Sequence, residues 1–344
     1  MLALTKVAPE FNGLALEHKE PRPPGPGEML MKLNAAGVCG TDVSIYKWAP
    51  WYANRLKLPR VLGHEMSGTV LETGAGVENV KAGDHVSLES HIFCGQCHHC
   101  RTGRAHVCPN TRYPGTDIDG VMSEYVTLPS SIAWVNPPGT PHEVAAILEP
   151  FGIAVHATLE GSGVSGQSVV INGCGPIGLM NIAIARHFGA SVIIAVDPNP
   201  LRRRTAQAMG ADRVVDPMAE NLDAAVKDMT RGLGADVVFE YSGQPEGVKN
   251  CFTVVTQLGE VRWCATPSHP MEFDFNLWKA KRATIHNIHG RRIWETWARA
   301  TPMIYEGQID LKPVLSHIVP LSEAPRAFDL ILAGEAVKPV IVPD

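Results

Sequence analysis

The sequence predicts an α/β protein of two domains, a doubly wound parallel sheet joined to a mostly-β domain. Three observations carry this. The chain has 344 residues, more than twice the ~150 of a usual single domain. From about 167 to 265, strand-like apolar runs alternate with segments of helical length, the pattern of a parallel sheet with crossover helices. Before about 150, short apolar runs sit between Gly- and Pro-rich turn signals, which reads as many short strands.

In the first region the runs are Met29–Met31, Gly68–Leu71 and Tyr125–Leu128. In the second, strands are expected at Ser168–Ile171, Val192–Val196 and Val237–Phe239, with helices at Leu179–Phe188, Leu201–Met209 and Leu222–Met229. The tail carries one amphipathic segment, Ala324–Leu332, and a β-like ending, Pro339–Val342. The expected division is a catalytic domain of 1–150 plus 295–344 around a cofactor domain of 151–294, with the active cleft between them.

Composition removes several function classes. With 45% apolar and 19% charged residues the chain is neither disordered nor collagen-like. Thirty Lys and Arg against 35 Asp and Glu give a net charge of -5, without the basic footprint that nucleic acid demands. The first twenty residues lack the apolar core of a signal peptide, and no apolar run reaches the ~18–20 residues of a membrane span. A soluble, cytoplasmic protein with no nucleic-acid or membrane partner is therefore expected.

Gly173-Cys174-Gly175-Pro176-Ile177-Gly178 matches G-x-G-x-x-G, follows an apolar run and opens a helical segment. Glycines there permit a tight turn and let backbone amides approach a pyrophosphate at the helix N-terminus, the arrangement of a Rossmann-type domain. Nineteen positions past Gly178, Asp197 follows the next strand, where a carboxylate binds ribose hydroxyls and repels a 2′-phosphate, favouring NAD over NADP. The competing readings are a glycine turn that binds nothing and, for Arg202-Arg203-Arg204, a solvated helix face or a phosphate partner.

Half of the eight cysteines lie within fifteen positions, Cys94, Cys97, Cys100 and Cys108, spaced C-x2-C-x2-C-x7-C. Four thiolates so spaced can close around one structural zinc, with an iron–sulfur cluster as the rival. Cys39, His64 and Glu65, with Glu149 further on, offer a thiolate, an imidazole and carboxylates for an open zinc site. Singly each has a duller explanation: a buried thiol, a hydrogen-bonded histidine, a solvated acid.

Gly63-His64-Glu65-Met66-Ser67-Gly68, the four-cysteine lobe, Ala82-Gly83-Asp84-His85-Val86 and the glycine motif together resemble the zinc-dependent medium-chain alcohol dehydrogenases along essentially the whole chain. Within them, Cys39-Gly40-Thr41-Asp42-Val43, His91-Ile92, Glu149-Pro150-Phe151-Gly152 and Gly290 to Trp297 are similar to the L-threonine 3-dehydrogenases. The resemblance implies a GroES-like catalytic domain, two zincs per chain, NAD, a small secondary-alcohol substrate and a homotetramer. It also implies that the catalytic zinc sits on Cys39, His64 and Glu65 with Glu149 near, that Thr41 takes the alcohol proton, and that His91 shapes the substrate pocket. On the cofactor side it adds Ile177, Asp197, Arg202, Cys264, Ile288 and His289. Three departures stand out: Ser44 where the relay histidine is usual, Ile153 in place of Asn, and Cys264-Ala265-Thr266 in place of a Leu-Gly-Ile type of turn. They open the alternatives of a polyol, sugar-acid or vicinal-diol substrate, or a non-catalytic dinucleotide-binding protein. Glu89, His91, Arg291 and Glu295 are the charges available to a zwitterionic substrate.

Overall fold

A computed structural model describes residues 1–267 and 270–344. The chain separates into two compact units, Met1–Glu149 with Leu315–Asp344, and Pro150–Val314.

The second unit is built on six parallel strands: Ser168–Asn172, Val192–Val196, Arg213–Val215, Ala235–Glu240, Val255–Trp263 and Thr284–Asn287. Numbered along this unit, they lie side by side as 3-2-1-4-5-6, the doubly wound order of a dinucleotide-binding sheet. The strands Ser168–Asn172 and Val192–Val196 are mostly apolar and buried after their first residue, because crossover helices take both faces from water. Helices Pro176–His187, Pro200–Ala208 and Leu222–Met229 each begin after a capping signal: a proline in the first turn of the first two, and an asparagine side chain before the last two.

The first unit contains a seven-stranded sheet. Along its main path the strands are Leu315–Pro320, Lys338–Val342, Glu28–Gly37, Glu65–Thr73, His85–Leu88 and Ala133–Val135, and Tyr125–Pro129 pairs with Glu28–Gly37 off that path. Its core gathers Met29, Met31, Leu33, Met66, Val86 and Leu128, with Phe328 of the Ala324–Leu332 helix. That amphipathic segment forms the helix expected of it.

One boundary differs from the expectation. Residues 295–314 belong to the second unit instead of joining the tail. The reason is packing: the Glu295–Tyr305 helix buries Thr296, Trp297, Ala300 and Met303, and the 312–314 turn lies on the Pro176–His187 and Pro200–Ala208 helices.

Candidate active site

Cys39 is the residue before the helix Gly40–Tyr46, and Asp42 fixes it there. The Asp42 carboxylate accepts from Cys39 N at 3.0 Å and, through its other oxygen, from Gly63 N at 3.1 Å. One fully buried carboxylate thus ties the thiol's turn to the segment that carries His64 and Glu65. Nothing in the local motif signals this role, because Asp42 and Gly63 are 21 positions apart. Donor atoms of Cys39, His64 and Glu65 lie within 4.8 Å of one another.

Glu65 opens the strand Glu65–Thr73, and its partner is Lys338. On the sheet, Gly37 pairs with Glu65 on one side and Val340 on the other, so Gly37 lies between the strands of Glu65 and Lys338. A Cβ at Gly37 would collide with the Glu65 carboxylate and press on Lys338 Cε at 3.1 Å. The missing side chain lets Lys338 reach across the intervening strand, its Nζ donating to Glu65 Oε1 at 2.6 Å and to Val38 O at 3.0 Å. Lys338 is 1% exposed and Glu65 fully buried. Burial works to discharge the Lys338 ammonium, but Glu65, Cys39 and Glu149 outweigh it and hold its pKa above the ordinary range.

The charge balance explains what such a cluster accepts. Burial opposes protonation of His64, yet Cys39, Asp42 and Glu149 hold its pKa up to about 10. A cluster with that much negative charge, its Asp42 and Glu65 carboxylates fully buried, draws a cation, and the soft thiolate, imidazole and carboxylate set suits zinc. Glu149 closes the first unit, accepting from Ser90 Oγ at 2.6 Å, while His91 Nδ1 lies 2.7 Å from Glu89 Oε1. Both Glu149 and His91 are 4% exposed. Thr41 follows Cys39 by two residues, and its Oγ1 accepts from Tyr52 Oη at 3.4 Å. Ser44 is not brought to it: the Ser44 hydroxyl donates to Gly40 O at 2.9 Å, back onto its own helix.

The four-cysteine lobe forms a second cluster in this unit. Sulfur separations are 3.5 Å for Cys97–Cys100 and Cys94–Cys108, 3.8 Å for Cys97–Cys108 and 4.0 Å for Cys94–Cys100. A tetrahedron with zinc–sulfur arms of about 2.3 Å has edges of about 3.8 Å. All four sulfurs therefore converge on the position of one ion, whereas a cluster of several irons would spread them. Backbone N–H groups of Gln96 and Cys97 draw the Cys94 thiol down to about 6, which favours the thiolate that a metal requires.

In the second unit the cofactor candidates gather at the carboxyl ends of the parallel strands, the edge where such sheets bind ligands. Gly173 to Gly178 follow the first strand, Asp197 the second, Cys264 the fifth, and Ile288 with His289 the sixth. Gly173 has φ +100°, and a Cβ there would meet Ser242 N at 2.7 Å; at Gly175, by contrast, a Cβ would meet nothing within 4 Å. The turn is thus tight on its protein side and open at Gly175, which caps the Pro176–His187 helix, a cradle that fits a pyrophosphate. Asp197 accepts from Cys174 N at 2.9 Å and Asn199 N at 2.8 Å, which orients the carboxylate. Arg202 lies 3.6 Å from Asp197 and Arg203 donates to the carbonyls of Asp197 and Pro198. Arg202 and Arg203 are therefore engaged locally, and Arg204 is exposed. Ile177 and Cys264 are half-buried, Ile288 is buried and His289 exposed. Among the other charges, Arg291 is buried and Glu295 is paired with Arg299 on the surface of its helix.

Comparison with known proteins identifies the family. Residues 25–138 match the alcohol dehydrogenase GroES-like domain and 176–306 the zinc-binding dehydrogenase domain. An L-threonine 3-dehydrogenase of Pyrococcus abyssi is 40% identical across 99% of this chain and 98% of its own length. The chain belongs to the zinc-dependent alcohol dehydrogenase family. Another family member, an L-threonine 3-dehydrogenase of Bacillus subtilis, is 42% identical over 92% of this chain and 91% of its own. Among solved structures of the family, an alcohol dehydrogenase from a Thermus species superposes with TM-score 0.91 at 28% identity, each chain fully covered. The 2R,3R-butanediol dehydrogenase of Bacillus subtilis does so with TM-score 0.89 at 27% identity, covering 100% of this chain and 99% of its own.

Proposed function

We propose that this chain is an NAD-dependent L-threonine 3-dehydrogenase, converting L-threonine to 2-amino-3-oxobutanoate with one catalytic and one structural zinc per chain. The observation that carries the reading is the convergent Cys39–His64–Glu65 donor set in a chain that aligns end to end with L-threonine 3-dehydrogenases at 40–41% identity. When bound, zinc supplies a Lewis acid for the alcohol oxygen and NAD the hydride acceptor.

The residues divide the remaining work. Cys39, His64 and Glu65 would hold the catalytic metal, with Asp42 setting their spacing and Lys338 restraining Glu65. Thr41 Oγ1 takes the proton of the substrate hydroxyl. Glu149, restrained by Ser90, adds negative charge beside the metal donors, and His91, restrained by Glu89, shapes the substrate's binding position. Cys94, Cys97, Cys100 and Cys108 would close around the structural zinc. Gly173, Gly175 and Gly178 let the backbone approach the pyrophosphate, Asp197 accepts from the adenosine ribose, and Arg202 flanks it. Ile177, Cys264, Ile288 and His289 line the nicotinamide side. On this reading residues 1–149 and 315–344 form the zinc domain, residues 150–314 the NAD domain, and the protein acts as a cytoplasmic homotetramer.

NADH formation at 340 nm across L-threonine, sorbitol, 2,3-butanediol and sugar acids tests the assignment. Turnover of L-threonine well above the others is expected; turnover of diols or polyols with none of threonine would overturn it. A vicinal-diol substrate is the second reading, favoured by the likeness to butanediol dehydrogenase and by Ser44 and Ile153.

A further inference from the structure

A dehydrogenation leaves Thr41 with a proton to pass on. The substrate hydroxyl delivers one to Thr41 Oγ1, and Thr41 must release its own before the next turnover. By the resemblance to the threonine dehydrogenases a histidine would stand at position 44 to receive it; here that residue is Ser44, whose hydroxyl is turned onto Gly40 O at 2.9 Å. The side chain that does meet Thr41 comes from the next helix: Tyr52 on Pro50–Ala53, with Oη 3.4 Å from Thr41 Oγ1. That helix packs against Gly40–Tyr46, so the pairing is fixed by two elements. Tyr52 is half-buried.

We infer that Tyr52 is the outer member of the proton relay, receiving from Thr41 the proton that Ser44 is not placed to take. This rests on the dehydrogenase reading above. In oxidation the substrate O–H bond breaks as an O–H bond forms at Thr41; the Thr41 proton moves to Tyr52 Oη, and the Tyr52 proton moves to water. Each hydroxyl begins and ends neutral, and one proton reaches solvent. For reduction the same path runs inward, which is the direction of the observed bond, with Tyr52 donating to Thr41. A separation of 3.4 Å is long for O–H···O, and such contacts characteristically tighten once substrate is bound. Burial, aided by Cys39 and Asp42 and opposed by the hydrogen bond to Thr41 and by Arg55, keeps the phenol above its ordinary range. It therefore relays as a neutral hydroxyl throughout the working pH range. Tyr52 acts through Thr41 and is a positioning and relay residue in that sense.

Tyr52→Phe keeps the ring and removes only the hydroxyl. Two measurements on the zinc-loaded protein test it. In the first, NAD and trifluoroethanol, an alcohol that is hardly oxidised, are mixed with the protein in weak buffer and proton release is followed with an indicator dye. Release at least tenfold slower in Tyr52→Phe, with unchanged amplitude and unchanged NAD affinity, is expected. In the second, kcat should fall ten- to a hundredfold with KM for the alcohol within twofold, and rise again as imidazole buffer is added. Wild-type rates in both assays would overturn the inference. So would a lowered kcat with unaltered proton release and no response to imidazole, which is the signature of a packing defect. Should wild type oxidise a diol and not threonine, the substrate assignment fails alone and the same two measurements run on that diol.

Discussion

Replacing Lys338 by Met should tighten zinc binding, although Lys338 supports a metal ligand. In the metal-free protein the ammonium is the counter-charge that Glu65 holds at 2.6 Å, in a setting where both groups are at most 1% exposed. Removing one member of a buried pair strands the other, at a cost of about 3–5 kcal/mol. With zinc present, Glu65 keeps a cation beside it, so the loss shrinks to that of a charged hydrogen bond, about 2 kcal/mol. The metal-free state therefore rises by about 2 kcal/mol more than the loaded state, and by linkage the zinc dissociation constant falls roughly 30-fold. Competition against a chelator of graded strength, with the four-cysteine lobe kept loaded, measures this directly. The urea midpoint should also drop more for the metal-free Lys338→Met protein than for the loaded one. Equal or weaker zinc affinity in the variant would refute the idea that Lys338 and the metal share one carboxylate.

Three further outcomes follow from other parts of the molecule. Cys97→Ser removes a sulfur 3.5 Å from Cys100 and 3.8 Å from Cys108; metal analysis should show one zinc lost per chain and proteolysis should reach residues 94–108 first, and a protein that keeps both zincs would contradict the lobe assignment. Asp197→Asn places a donor against the Cys174 and Asn199 amides, so NAD affinity should fall about 10- to 100-fold and discrimination against NADP relax, as read by cofactor titration; unchanged preference would remove its role. Burial and then His142, whose Nδ1 lies 3.2 Å from His85 Nε2, hold His85 down to about 4, so the unfolded chain binds a proton there first as pH falls. Stability from this group is intact above about pH 6.5 and lost between there and pH 4. Because the ring is only half-buried, the share recoverable at pH 5 by His85→Gln is about 1 kcal/mol after screening, visible as a smaller drop in urea midpoint from pH 7 to pH 5 than in wild type.

Legibility in the sequence followed contiguity. The cysteine lobe could be read because its ligands lie within fifteen positions, and the glycine motif because strand, turn and helix adjoin one another. In the second unit, the strands that do not stand out in the sequence are those whose patterns are short, interrupted or polar. Arg213–Val215 is three residues long, Thr284–Asn287 is an edge strand whose one apolar residue is Ile285, and Val255–Trp263 contains Leu258 at φ +63° beside Gly259. The second unit's true end was hidden for a related reason: Glu295–Tyr305 has the amphipathic pattern of any packed helix, and nothing in that pattern says which sheet it serves.

The candidate site divides along the same line. Its metal donors were recognisable by residue type, but the groups that hold them were not. Lys338 is 273 positions from Glu65, and at the head of an apolar strand a lysine ordinarily marks an exposed end. What makes it a buried partner is Gly37, a residue with no side chain on a third strand between them, so the relation exists only once three strands are in register. Tyr52 is the same case on a smaller scale. A tyrosine among tryptophans reads as packing, and only the crossing of two short helices turns its hydroxyl toward Thr41. Residue types therefore announce which atoms can bind metal or move protons, while geometry decides which ones are charged, held and connected, and a substitution such as Ser44 changes that connection without touching the donor set.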